Sequence, residues 1–272
     1  YDENILDIKG GLNDVVMNNS PIDIDKLIEG TNEILTANRN SLQLFDMLHS
    51  MRQFDDLTYV HSVNVALIAS ILGQWLKFSE KDIRILTISG LLHDIGKIMI
   101  PNEILTKPGK LTVAEYNIMK QHVNFGYEKV KNQNIDIRIK EACLLHHEKC
   151  DGTGYPFGLK SDHIPAVAKI IAIADVYDAM TSARVYRGAL CPFEVIDTMY
   201  KDAFTKFEPE YILPFLKNVA SSYINNDVRL SDGRIGKVVL INENALSLPI
   251  VQCEDEFIDL SKTRGLTVSA IL

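Results

Sequence analysis

Apolar residues recur at helical spacing along most of the chain, and the pattern changes only near residue 225. From Ile24 onward, Leu27, Ile28, Ile34, Leu35, Leu42, Leu44, Phe45 and Leu48 follow the three-and-four spacing of an amphipathic helix. A weaker pattern, interrupted by Gly10-Gly11, predicts a helix over about 2–17. Over 58–76, His61, Val65, Ile68 and Leu72 share one face. Ser79, with Asp82 three residues on, signals an N-cap for the next helix. That helix leads to His93-Asp94, and Gly96 and Pro101 are placed to end it just past them. Thr112 and Glu115 form a capping box, predicting one helix to about Val130 with His122 on the face of Glu115, Ile118 and Met119. Further helices are expected up to His146-His147, over 165–180, 192–204 and 209–223. Beyond Asn225, short β-type runs over 228–230, 235–241, 249–252, 257–260 and 266–272 alternate with turn residues. The expected fold is mainly α, a helical bundle with a small C-terminal β appendage. It divides into an N-terminal helical segment (1–50), a central body (51–224) and the β-rich end (225–272).

Composition narrows the classes of function. Hydrophobic residues make up 46% of the 272, ample for a buried core, and the formal net charge is −8. That balance argues against a nucleic-acid polymer or an anionic membrane surface, since either requires a basic patch. A small anionic substrate stays open if cations are concentrated at one site. No stretch approaches the ~20 apolar residues of a membrane span, and no signal-peptide pattern is present. A cytoplasmic setting is therefore expected. Cys143, Cys150, Cys191 and Cys253 lack Cys-x-x-Cys spacing and read as reduced thiols. A chain opening on Tyr1 reads as a piece of a longer protein, compatible with an upstream sensory domain. The N-terminal helices could pack on the body, mediate a homodimer or relay such a signal.

Four places carry candidate chemistry. His146-His147 closes an apolar run and precedes a glycine-rich loop ending in Tyr155-Pro156. Neighbouring helical residues point about 100° apart, so both imidazoles reach one ion only near a helix end or across a cleft. His93-Asp94 closes another apolar segment, where a carboxylate opposes the helix dipole unless a cation compensates it. Asp175 lies inside Ile170-Ile171-Ala172-Ile173-Ala174 and its continuation. Burying it ionised and unpaired costs several kcal/mol, an objection that a bound cation removes. Arg184 and Arg187, at i, i+3 spacing, suit bidentate phosphate recognition, although surface arginines are common.

His93-Asp94-Ile95-Gly96-Lys97, His146-His147-Glu148, Asp151-Gly152-Thr153-Gly154-Tyr155-Pro156 and Gly158-Leu159 together resemble the HD-GYP family, metal-dependent phosphodiesterases of bacterial cyclic dinucleotides. The resemblance spans roughly 57–211, and the long second motif is its most specific part. A lone histidine on an apolar stripe is ordinarily a core residue. The match of Tyr59-Val60-His61-Ser62-Val63-Asn64-Val65 to the family's first histidine motif instead implies that His61 is a ligand, and position relative to the other motifs implies the same for His122. His49 and His163 read as ordinary.

The implied centre holds two divalent ions: His61, His93, Asp94 and Asp175 on one, and His122, His146 and His147 on the other, with Asp94 bridging. Imidazole and carboxylate ligation without thiolate fits iron or manganese best, with zinc, nickel or cobalt also compatible. A glutamate four residues before the first histidine holds a third metal in some members. Leu57 stands there in this chain, with Asp55 and Asp56 out of helical phase, so two metals are expected. Val185 replaces the usual proline between Arg184 and Tyr186.

The implied reaction is hydrolysis of cyclic di-GMP to linear pGpG, and on to GMP, by a metal-bridging hydroxide. Lys97 would stabilise charge beside Asp94, and Arg184 and Arg187 would hold the other phosphate. Asp151, Gly152 and Tyr155 would line the substrate, with Tyr155 either stacking on a base or only bracing the loop. A 3',3'-cyclic GMP-AMP substrate and a receptor that binds without turnover are the alternatives.

Overall fold

The computed structural model describes residues 2–18, 20–37, 45, 57–182 and 188–272. Two apolar helices form the centre of the bundle. Helix α3 (Leu57–Trp75) buries Val63, Val65, Ala66, Leu67, Ile68, Ala69 and Leu72, so more than one face is covered. A helix this apolar is stable only when surrounded. Its neighbours are α4 (Glu80–Leu92) and α9 (Ala166–Thr181), the latter buried over most of its length. Ser79 caps α4 as its sequence predicts, accepting from the Asp82 amide at 3.2 Å.

The N-terminal helices α1 (Asp2–Asn18) and α2 (Ile24–Ala37) pack on this centre, with Leu12, Val15, Val16, Leu27 and Ile28 in the common core. The expected continuation of α2 to Leu48 lies outside the described residues, apart from buried Phe45 stacked on Trp75.

Two helix boundaries differ from expectation, and both matter to the site. Helix α4 stops at Leu92, before His93-Asp94 rather than after, because the chain tightens into a 3-10 helix, Ile95–Met99. The helix expected over 112–130 is two. After the short α5 (Asn102–Leu105), the Thr112–Glu115 capping box opens α6 (Val113–Met119), and the helical ladder breaks at Lys120-Gln121 before α7 (His122–Val130). His122 is thus the first residue of a new helix and does not share a face with Glu115, Ile118 and Met119. Its ring donates to the Met119 carbonyl across the break, while Glu115 is held by Lys107 and the Thr112 cap.

Helix α8 (Ile137–Leu145) brings the chain to His146-His147, and α10 (Pro192–Asp202) and α11 (Pro209–Ser222) complete the bundle, each opening on proline at a position that lacks an amide partner anyway. The β-type runs form one antiparallel five-stranded sheet: β1 (Asp227–Leu230), β2 (Ile235–Leu240), β3 (Ile250–Cys253), β4 (Glu256–Asp259) and β5 (Val268–Ile271), in spatial order β4-β3-β2-β1-β5. Val238 pairs with Val251 and Val251 with Ile258, so an inward row continues the core of the helices.

Close approach at Gly96 fixes the 3-10 helix against α7. A Cβ there would lie 1.9 Å from the His122 carbonyl oxygen and 2.4 Å from the Gly126 amide nitrogen, both backbone atoms. Gly96→Ala must separate the two segments, and overpacking of this kind costs about 1–3 kcal/mol or more. For a chain of this size we expect Tm to fall by roughly 5 °C or more, measured by calorimetry. An unchanged Tm would contradict the contact.

Candidate metal centre

Five separate segments deliver ligand-type side chains to one buried volume. His61 comes from the first turns of α3, His93 and Asp94 from just past α4, His122 from the start of α7, His146 and His147 from just past α8, and Asp175 from within α9. All but His147 are buried. Asp94 stands in the middle: its Oδ1 is 3.2 Å from His122 Nε2 and 3.7 Å from His146 Nε2, and its Oδ2 is 3.2 Å from His93 Nε2 and 3.6 Å from His61 Nε2. Asp175 Oδ1 is 3.0 Å from His61 Nε2, and its Oδ2 is 3.8 Å from His147 Nδ1.

The ring nitrogens facing this volume are lone pairs, because the opposite nitrogens are committed. His93, His122 and His146 direct Nδ1 at the carbonyl oxygens of Gly90, Met119 and Ala142, at 2.7, 2.8 and 3.0 Å. A carbonyl only accepts, so Nδ1 carries the proton and Nε2 presents a lone pair that can accept a hydrogen bond or ligate a metal. His122 and His146 then face each other Nε2 to Nε2 at 3.5 Å, two lone pairs that cannot bond to one another. Within the buried cluster, His93 Nε2 and Asp94 Oδ1 have no aligned hydrogen-bond partner. Buried polar atoms are rarely left this way; a cation satisfies all of them together.

The donor atoms fall into groupings in which all lie within 4.8 Å of one another: Asp94, His122, His146 and His147 in one, and His61, His93 and Asp94 in another. A third, of His93, His146 and Asp175, overlaps both. Asp94 belongs to the first two, as a bridging carboxylate requires. These are two candidate sites for divalent ions, consistent with a binuclear centre. Their nitrogen and oxygen donors suit first-row transition metals.

The electrostatics follow from burial and contact. Burial alone would raise Asp94, but His93, Lys97, His122 and His146 outweigh it and hold the carboxyl well below its usual range. Asp175 is likewise ionised, burial being overcome by His61 and more distant imidazoles. His146 is pushed down to about 4, chiefly by burial, and His147 well down for the same reason. Burial also lowers His61, yet Asp175 and Asp178 together carry it up to about 9. The Cys143 thiol, donating to the Leu92 carbonyl behind the site, is pushed up to about 12 by burial and the Asp94 charge. All four cysteines are free thiols.

The other residues singled out in the sequence are placed unevenly. Lys97, on the 3-10 helix, puts its ammonium on Asp94 Oδ2. Tyr155 packs its ring 4.7 Å from that of His147 at an interplanar angle of 30°. Asp151 turns its carboxylate into its own loop, accepting from the Thr153 amide and hydroxyl. Gly152 provides a left-handed backbone position at φ 82°. Arg184, Val185 and Arg187, with Asp55 and Asp56, lie outside the described residues.

One residue behind the ligands is not among the candidates that the sequence singles out. Asp178, one turn past Asp175 on α9, accepts from His61 Nδ1 at 2.7 Å and from the Asn64 amide at 2.9 Å. A second acid at i+3 inside an apolar run was its signal.

A buried helical centre of histidines around a shared aspartate, beside a Gly-Tyr-Pro loop, defines the phosphohydrolase class. Residues 28–211 match the HD domain, and the chain belongs to that family, as a phosphohydrolase domain related to the HD-GYP cyclic-dinucleotide phosphodiesterases. It is similar to a cyclic di-GMP phosphodiesterase of Pseudomonas aeruginosa, 36% identical over 203 residues, which are 74% of this chain and 49% of the relative. A cyclic di-GMP phosphodiesterase response regulator of Xanthomonas campestris is 36% identical over 197 residues, 72% of this chain and 52% of the relative. The 3'3'-cGAMP-specific phosphodiesterase 2 of Vibrio cholerae is 32% identical over 188 residues, 68% of this chain and 36% of the relative. The chain spans about half the length of the first two of these relatives and about a third of the third. Among the described residues no helix is long and apolar enough to cross a membrane.

Two outcomes test the centre. Asp178→Ala frees the His61 ring, and loss of such an orienting partner lowers metal affinity by about 10–100-fold. Equilibrium dialysis against Mn²⁺ reads this, and wild-type affinity in the variant would remove Asp178 from the site. In the metal-free protein at pH 7.5, His61 carries a second ring proton and is cationic, while His146 is neutral with its one proton on Nδ1. Loading must expel that proton, so affinity rises with pH towards about 9. Calorimetric heats in buffers of different ionisation enthalpy should report about one proton released per chain; buffer-independent heats would contradict it.

Proposed function

We propose that this chain hydrolyses a cyclic dinucleotide, with cyclic di-GMP as first substrate, giving linear pGpG and then GMP. The observation that supports this most directly is the shared Asp94 among four imidazole Nε2 atoms, next to a loop that sets Tyr155 against His147. His61, His93, Asp94 and Asp175 would hold one ion, and Asp94, His122, His146 and His147 the other. When bound, such a pair lowers the pKa of a water and withdraws charge from a phosphoryl oxygen. Iron or manganese suits this donor set best. With Leu57 at the position of a third-metal carboxylate, the stoichiometry is two.

The chain's own residues do the rest. Asp94 and Asp175 hold negative charge fixed in a water-poor volume, so that cations are retained without reorganisation. Lys97 sits one ligand away, its side chain partly exposed, and supplies positive charge where the phosphate's charge develops. Tyr155 walls the His122–His146–His147 half, with its ring 6.4 Å from that of His122. Arg184 and Arg187 would grip the second phosphate.

Relatives named for cyclic di-GMP and for 3'3'-cGAMP match to similar degrees, so the hybrid dinucleotide is the second reading. A receptor that binds without turnover is the third. It is disfavoured by a complete ligand set, since loss of ligands would mark a protein freed from catalysis.

Side-by-side turnover of cyclic di-GMP and 3',3'-cyclic GMP-AMP, with product analysis, separates all three. We expect Asp94→Ala to lower kcat/KM by at least about a thousandfold, as for removal of a principal charge-stabilising group. Elemental analysis of anaerobically purified protein should find two transition-metal ions per chain. Undiminished hydrolysis in the variant would move the site elsewhere, and binding with no product would favour the receptor.

A further inference from the structure

Between His147 and the loop that follows it lies a buried acid that the proposed chemistry does not use. Glu148 is 4% exposed, and its carboxylate accepts from three consecutive backbone amides: Phe157 at 2.7 Å and Gly158 at 3.1 Å on Oε1, and Leu159 at 2.9 Å on Oε2. Bonds from N–H groups to an ionised carboxylate are roughly twice as strong as neutral ones, and three on one side chain bind a whole loop limb.

The other limb returns to the same place. The Tyr155 amide donates to the His147 carbonyl at 3.2 Å. A Cβ on Gly154 would lie 2.4 Å from Glu148 Cα and from the Lys149 amide nitrogen, and 2.6 Å from the His147 carbonyl oxygen. The loop therefore folds back onto residues 147–149 with no room between, and Tyr155 lies against His147 as a result.

We propose that Glu148 is a positioning residue for substrate binding: its carboxylate latches the Gly-Tyr-Pro loop shut, and through the loop holds Tyr155 as one wall of the substrate pocket beside the metal ligands. The substrate class is the purine cyclic dinucleotide of the preceding reading, on which this role rests. The latch requires two acceptor oxygens. Glutamine keeps one and turns an NH₂ towards an amide donor, losing at least one bond and setting two donors against each other.

Glu148→Gln and Gly154→Ala attack the latch from opposite sides, one removing an acceptor and the other wedging the limbs apart. In the full chain, amide hydrogen exchange of the peptide covering 155–160 should speed up by about tenfold or more in each variant, while bound metal stays at the wild-type level. KM for the cyclic dinucleotide should rise by about tenfold with kcat changed less than about threefold, the pattern of lost binding rather than lost chemistry. The Glu148→Gln/Tyr155→Ala double variant should bind no more weakly than the worse single variant, since both remove the same wall.

Unchanged exchange in folded Glu148→Gln and Gly154→Ala would overturn the latch. A loosened loop with unchanged KM, or a KM effect that adds fully to that of Tyr155→Ala, would overturn its role in binding. Should one variant fail to fold, the other decides alone. Wild-type protein that neither binds nor turns over a cyclic dinucleotide would defeat the parent reading and with it the binding role, whereas the exchange result would still decide the latch.

Discussion

A carboxylate with 2% of its surface exposed, ionised, and surrounded by four imidazoles and an ammonium organises this molecule. Burying one uncompensated charge costs several kcal/mol, a large share of the net stability of an ordinary domain. Asp94 is tolerable only because positive charge and ring nitrogens arrive from segments far apart in sequence. The bundle can be read as the means of that delivery. Two helices, α4 and α8, stop where their ligands begin, α7 starts where its ligand stands, and the apolar pair α3 and α9 carries His61 and Asp175 at facing positions.

The same constraint explains the irregular pieces. The 3-10 helix after Asp94 turns Lys97 back onto the carboxylate. Its contact with α7 is close enough to exclude any side chain at Gly96, which brings Asp94 within 3.2 Å of His122. The break before His122 frees a carbonyl one turn back for its ring. Each departure from regular helix therefore serves one ligand. The five-stranded sheet supplies none of the candidate ligands and contributes through the core that it shares with the helices.

Much of this was legible in the residues. Helical periodicity identified the bundle, and the change to short alternating runs after Asn225 marked all five strands. The ligand types stood out because histidine pairs and acids inside apolar runs conflict with simple burial. The two misplaced helix ends share a physical reason. At both, after Leu92 and at Lys120-Gln121, the backbone leaves the α-helical ladder for a tighter turn with no glycine or proline at the break itself. Asp178 and Glu148 were harder to see for a different reason. Each is defined by what it accepts from beyond its own helical turn, His61 117 positions away in one case and the amides of the following loop in the other.

The anchoring of the rings also sets where this centre is open to inherited change. Three imidazoles are aimed by main-chain carbonyls three or four residues behind them, and no substitution of a neighbouring side chain deletes a carbonyl. His61, by contrast, is aimed by a side chain, Asp178. Drift in metal preference among descendants of this sequence thus has a cheap route through the α3–α9 contact, while the rings of His93, His122 and His146 are insured by the backbone itself.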